Sequence, residues 1–294
     1  MPSTHRNPQF HLDYFDPPEG LEKYILTTFD IQWNEEVVQG RHLGAMGQLF
    51  LAVSGRGYVQ FGDRKDWVDG RPMLFNAFEV ATPYKMQGPY RNIGASLSPY
   101  GWAALTQAPL DKYGNRLLAA SDWLGEEVNQ MSDDIVSRCQ SGVLAGEQAC
   151  HELAKWIGAR LQALPEAHEA VIDRVFGWLS ISLNPPIEEL FEDTDYSRRQ
   201  IERLVGRYFG FTPKGLARKF RAIRAANLLA QPDLTDEGEA EIADAFHDQS
   251  HMIREFRRFC GFTPTQIKGL DDRMFKRLTY VQNLDRLKGF RSIG

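Results

Sequence analysis

The sequence predicts an α+β protein, a β-rich first domain followed by an all-α second domain, and three observations predict it. The apolar pattern changes near residue 100 from short β-branched and aromatic runs to three- and four-residue spacings. A segment in the last third recurs at a fixed offset, which means one helical unit used twice. Basic charge is concentrated in the same region, although the chain as a whole carries −5.

The first domain is expected to be built from short strands. Residues 24–31, 49–53 and 58–61 are rich in β-branched and aromatic types, with Gly55-Arg56-Gly57 and Gly70-Arg71-Pro72 read as turns between them. Further strands are expected around 79–81 and 93–97. A sheet of this kind closes as a cupin-like barrel or a related β-sandwich. Beyond residue 100 the helical spacing takes over. Leu144, Ala149, Leu153, Trp156, Ile157, Leu161 and Leu164 mark a helical flank to this domain, and residues 165–170 read as a junction. The expected division is therefore a domain over 1–165, an all-α domain over 171–268, and a helical extension over 269–294. Met274, Phe275, Leu278, Val281, Leu284 and Leu287 share one side of that extension.

Composition excludes several classes. The 294 residues suffice for two domains, at roughly 100–200 residues each. No apolar run reaches the roughly 18–20 residues that a membrane span needs, and the N-terminal stretch lacks the apolar centre of a secretory signal. The three cysteines, Cys139, Cys150 and Cys260, are an odd number without metal-like spacing, as expected of a cytoplasmic protein. Charge is unevenly spread. Residues 1–170 hold 14 Lys/Arg against 21 Asp/Glu, whereas residues 196–224 hold nine basic residues and the single acid Glu202. Such segregation suits a surface that faces phosphate.

The repeat places residues 201–213 over residues 252–264 at an offset of 51. Both copies end in Gly-Phe-Thr-Pro, at 210–213 and 261–264. Gly210 and Gly261 are expected to stop a helix in the left-handed conformation; Thr212 and Thr263 then cap the next helix, with Pro213 and Pro264 at its first position. Ser197 with Gln200 forms a capping box for the first copy. Ile201, Leu204, Val205 and Tyr208 make one apolar stripe, which leaves Arg199 and Arg203 on the opposite face with Glu202 and Arg207 on their flanks. In the second copy Met252, Phe256 and Phe259 point inward while Ser250, Arg254 and Arg257 point outward. Each copy thus reads as a helix-turn-helix unit. An arginine can bond guanine through two donors in the major groove, and a nearby carboxylate can accept from cytosine. Residues 213–231, bounded by Pro213 and Pro232, form the connecting helix, about 28 Å long at 1.5 Å per residue. That length brings the two units near successive major grooves, about 34 Å apart on one face of the duplex. A basic helix face taken alone is also how an ordinary solvated surface looks.

These stretches, Ser197-Arg198-Arg199-Gln200-Ile201-Glu202-Arg203 and Asp248-Gln249-Ser250-His251-Met252-Ile253-Arg254-Glu255-Phe256, each followed by Gly-Phe-Thr-Pro, resemble the two-unit DNA-binding domain of the AraC (arabinose-regulator-like) family of bacterial transcription regulators. The resemblance implies base reading by Arg199, Glu202 and Arg203 in the first unit and by Ser250, His251 and Arg254 in the second. Arg198, Arg207 and Arg257 complete the candidate DNA-binding set. It also implies promoter or operator DNA as partner, RNA polymerase as a further partner, a possible homodimer, and regulation of transcription as an activator or a repressor. The family usually has a small residue in the helix before each recognition helix and a glycine in the turn. Here those positions hold Phe191 and Asp195, then Glu241 and Ala245. Residues 232–248 carry seven acids and no Lys/Arg, so the first unit is expected to carry most of the binding energy.

A weaker resemblance over residues 10–165, through Gly88-Pro89-Tyr90 and Ser98-Pro99-Tyr100-Gly101-Trp102, implies a β-rich module of a less-studied branch of the same family that holds a small effector or a dimer contact. Candidate effector-binding residues are Phe50, Tyr58, Phe61, Phe75, Phe78 and Tyr84, with Arg56 and Arg91 for an anionic effector. Ordinary core aromatics and solvated turn arginines are the competing reading. No G-x-S-x-G elbow, P-loop or dinucleotide fingerprint is present, His247 and His251 alone hold zinc poorly, and the strand region offers only His42. No enzyme, cofactor or metal is therefore expected. The alternative function is a protein of the same fold whose DNA binding has weakened and which acts through protein partners.

Overall fold

The computed structural model describes residues 10–44, 46–231 and 234–269. The extension expected beyond residue 269 and the helix boundary expected at Pro232 lie outside the described residues.

Eight antiparallel strands form the N-terminal domain: β1 Phe10–Phe15, β2 Ile25–Trp33, β3 Val37–His42, β4 Gly47–Phe61, β5 Arg64–Val68, β6 Met73–Phe75, β7 Thr82–Leu97 and β8 Leu117–Ala119. The spine is the pair β4–β7, strands of 15 and 16 residues. Half of each spine strand takes a different neighbour. β7 pairs with β3 over 82–87 and with β2 over 90–97, while β4 pairs with β6 at 48–50 and with β5 over 57–61. The sheet thereby folds over on itself, consistent with the expected β-rich class.

Two details differ from the sequence expectation. Gly55-Arg56-Gly57 is not a reversal but the irregular middle of β4, where the register to β7 shifts twice between Ala52 and Arg56. Gly55 takes φ +76, and a Cβ there would come within 2.6 Å of the Gln87 carbonyl oxygen. Glycine thus bends the strand against its partner instead of ending it. The second difference is at 79–81, which forms a bend and not a strand. There the Ala81 amide donates to the Arg258 carbonyl at 2.9 Å, so this backbone is satisfied by the second domain.

Alternation along the strands makes two cores. One face supplies the interior of the folded sheet, where Trp33, Phe50, Phe75, Phe78 and Tyr84 interdigitate. Phe78 meets Phe75 at 5.0 Å and Phe61 at 4.8 Å between ring centroids. The other face carries Leu49, Leu51, Ile93 and Ala95 against Val128, Ile135, Leu153 and Ile157. These last belong to α4 (Glu127–Gln140) and α5 (Gly146–Gly158), the helical flank, which follow the short helices α1 (Pro99–Thr106), α2 (Leu110–Tyr113) and α3 (Ser121–Leu124).

The C-terminal region holds α6 (Glu166–Ser180), α7 (Arg198–Phe209), α8 (Pro213–Leu229), α9 (Asp236–Asp244), α10 (Gln249–Phe259) and α11 (Pro264–Gly269). Residues 165–170, expected as a junction, form the start of α6. The core of this region is built from α6, α7, α8 and α10 through Ile172, Phe176, Leu204, Phe220 and Phe256, and it also takes in Leu26, Leu43, Met46, Ala81 and Tyr100 of the first domain. Among the described residues, no helix is long and apolar enough to cross a membrane.

Candidate nucleic-acid interface

Helix α7 begins as its sequence requires. The Ser197 hydroxyl accepts from the Gln200 amide at 3.4 Å, and the Gln200 side-chain oxygen accepts from the Ser197 amide at 2.8 Å. Gly210 closes the helix at φ +77. Thr212 caps α8 through the Gly215 amide at 3.1 Å, with Pro213 at the first helical position. The second unit repeats this. Asp248 caps α10 through the His251 amide at 2.7 Å, Gly261 takes φ +81, and Thr263 accepts from the Gln266 amide at 3.2 Å. The amide bond from His251, with the nearby charges of His247 and Arg254, holds the Asp248 carboxyl below its ordinary range.

Both helices bury one face and expose the other. Ile201, Leu204, Val205 and Tyr208 are buried in α7, as are Phe256 and Phe259 in α10. Arg198, Arg199, Glu202 and Arg203 are exposed on α7, with Arg207 half-buried at its end. Arg198 lies 3.1 Å from Glu202 and stacks 4.5 Å over the Phe191 ring, an arrangement that occupies it within the protein. On α10, Ser250, Arg254 and Arg257 are exposed. The positive field around α7 reaches His168, which bonds the Tyr208 hydroxyl at 2.7 Å. Burial, followed by the charges of Arg207 and Arg203, pushes the His168 pKa down.

His251 is placed differently from its fellow candidates. It turns back along α10, with Nε2 3.1 Å from Glu255. Sequence reasoning missed this group. Glu255 is 1% exposed and is held by Arg221 at 2.7 Å and Arg218 at 2.6 Å, both on α8. One buried carboxylate thus fastens α10 to α8. The available signal was a lone acid, four residues after His251, on an otherwise basic helix.

The helix ahead of α7 is reduced to a single 3-10 turn, Glu188–Phe191. It stops because Glu192 is extended and Asp193 follows in the left-handed region at φ +44. The second unit has a full α9, whose Asp236, Glu237, Glu239 and Asp244 are exposed; Glu239 is paired with Lys268. Helix α8 runs 17 residues, about 25 Å at 1.5 Å per residue.

The second unit is also fastened to the β domain. Lys219, fully buried, donates from Nζ to the carbonyls of Gly44, at 2.6 Å, and of Phe78. Burial lowers its pKa to about 7. Arg258 reaches Glu79 at 3.4 Å. His42 sits beside this contact with its Nδ1 accepting from the Gly44 amide at 2.9 Å. Burial and then the Lys219 charge push the His42 pKa down to about 4.

The effector candidates do not gather at one place. Phe50, Phe61, Phe75, Phe78 and Tyr84 pack in or against the interior of the folded sheet. Arg91 makes a two-pronged bond to Asp30, at 3.0 and 2.7 Å, beneath the helical flank. Arg56 and Tyr58 line a separate groove on the β4–β5 hairpin. Among the described residues no group of His, Cys, Asp and Glu could hold a metal ion.

Residues 190–269 match the helix-turn-helix domain family. In overall structure the chain is similar to ToxT from Vibrio cholerae, at TM-score 0.48 and 7% identity over 89% of this chain and 98% of that one. A second structure, ToxT from Vibrio cholerae O395, gives TM-score 0.47 and 9% identity over 90% and 98%. The AraC-like transcriptional activator CuxR gives TM-score 0.27 and 13% identity over 79% and 91%. The comparison with curated proteins found no match. Over residues 190–269, therefore, the chain carries a helix-turn-helix domain.

Proposed function

We propose that this chain is a sequence-specific DNA-binding transcription regulator that enters successive major grooves with α7 and α10. Its N-terminal domain, on this reading, senses a small-molecule effector. The observation that carries the reading is the pair of capped helices, each with a buried apolar face and an exposed arginine face, joined by α8. Arg199, Glu202 and Arg203 are assigned to base reading in the first unit, and Ser250 and Arg254 in the second. Arg257 and Arg207 are assigned to phosphate. His251, engaged with Glu255, serves to position α10. A cytoplasmic setting, a homodimeric state and RNA polymerase as a partner complete the proposal by resemblance.

Gel-shift titration on the DNA upstream of the protein's own coding sequence tests it. Binding is expected to be sequence-selective and to weaken steeply with salt. Each lost bidentate arginine contact costs about 1–3 kcal/mol, so Arg199→Ala with Arg203→Ala should weaken binding at least about 30-fold. Both side chains are exposed, so the fold should persist. Absence of selective binding at low salt would refute the proposal. The second reading, action through protein partners, draws on the exposed acids of α9; under it, the double variant leaves partner capture intact.

A further inference from the structure

The β4–β5 hairpin carries a solvent-open groove of about 940 Å³. Ligand sites commonly measure roughly 300–1,000 Å³. Its floor is a cross-strand aromatic pair. Tyr58 stands opposite Trp67 in the ladder, with ring centroids 5.4 Å apart and planes at 65°. Trp67 is 56% exposed. An indole left open on a strand contributes less to folding than a buried one and offers a contact surface instead.

The charges around this floor are unbalanced in a defined way. Lys65 places its ammonium 4.4 Å from the Tyr58 ring centroid, Lys85 stands opposite Tyr58 on the other neighbouring strand, and Arg56 bonds only the neutral Gln87, at 3.1 Å. The two carboxylates in the groove are already neutralised. Asp66 takes Arg64 at 2.7 Å and the Leu117 amide at 2.9 Å, and Asp69 takes Arg71 at 2.8 Å. Three cations without a carboxylate partner among the described residues therefore ring an open aromatic floor. They do so on a half of the chain where acids outnumber bases 21 to 14.

We infer that this groove binds a planar aromatic anion. The ring stacks on the exposed Trp67 indole beside Tyr58, and a carboxylate or phosphate group meets Lys65, Lys85 and Arg56. Flat rings stack on an indole face, and an anion is attracted to three neighbouring cations that lack a carboxylate partner among the described residues. That occupancy of the groove is the effector input rests on the function proposed above; the binding itself does not.

Isothermal titration of the full chain with 1-naphthoate, 1-naphthyl phosphate and neutral 1-naphthamide tests the inference. Both anions are expected to saturate one site, with naphthamide at least tenfold weaker. The stronger of the two anions identifies the head group. Lys65→Gln with Lys85→Gln, and separately Trp67→Ala, are each expected to weaken anion binding at least tenfold while a single cooperative thermal melt is retained. No saturation by either anion, equal binding of naphthamide, or an anion affinity indifferent to these substitutions would each overturn it. The gel shift above fails or succeeds independently, so the two readings can be told apart.

Discussion

Replacing Glu255 with alanine should unfasten α10 from α8. The carboxylate is 1% exposed and receives Arg221 through Nε at 3.0 Å and Nη2 at 2.7 Å, Arg218 at 2.6 Å, and the His251 ring at 3.1 Å. Arg221 is only 7% exposed and cannot follow the lost charge into solvent. Breaking a buried ion pair from one side leaves an uncompensated charge, at a cost of about 3–5 kcal/mol. Arg218, at 41% side-chain exposure, can relax outward and adds little. Glu255→Ala should therefore lower the unfolding free energy by about 3–5 kcal/mol, measured in urea at fixed slope. Replacing Glu255 and Arg221 together with leucine removes both buried charges and should recover most of that loss. The effect on DNA should be selective: contacts from α10 weaken while those from α7 persist, so protection shrinks to one half of the site. A loss below about 1 kcal/mol, typical of a surface pair, would refute this account of the anchor.

Two further expectations concern the first domain and its contact with the second. His42 has a folded pKa of about 4 against an ordinary 6.5, so its contribution to stability is fully present above pH 6.5 and is lost as pH falls toward 4. Up to about 3 kcal/mol should disappear across that window, and His42→Asn, which keeps an acceptor for the Gly44 amide, should flatten the slope in pH-dependent denaturation. Gly55→Ala should lower the unfolding free energy by about 1–3 kcal/mol, because φ +76 and the Gln87 carbonyl at 2.6 Å both oppose a Cβ; an unchanged melting temperature would contradict the bend described for β4.

The repeat was legible because its signals are local. A cap, a glycine stop and an apolar stripe each act within four residues, and Ser197, Gly210, Thr212 and Thr263 sit where those rules put them. The strands were less legible because their meaning depends on distant partners. Gly55-Arg56-Gly57 has the composition of a turn, and only its pairing with β7 makes it a bend in one strand. The acid at 255 and the lysine at 219 look like surface residues until α8 and the β domain close over them. His251 shows the same limit: its position in the repeat suggests a base contact, and the buried carboxylate four residues on turns the ring inward.

Phe78 has a foot in each half of the molecule. Its ring is wedged among the aromatics inside the sheet, and its carbonyl holds the ammonium of Lys219 on α8. The acceptors here are main-chain atoms, and Gly44, at φ +56 with Phe78 2.5 Å from where a Cβ would stand, leaves room for no side chain. Phe78 therefore joins the aromatic interior of the sheet and the α8 lysine through one residue, so the packing of the rings and the seat of the buried ammonium share a single stretch of backbone.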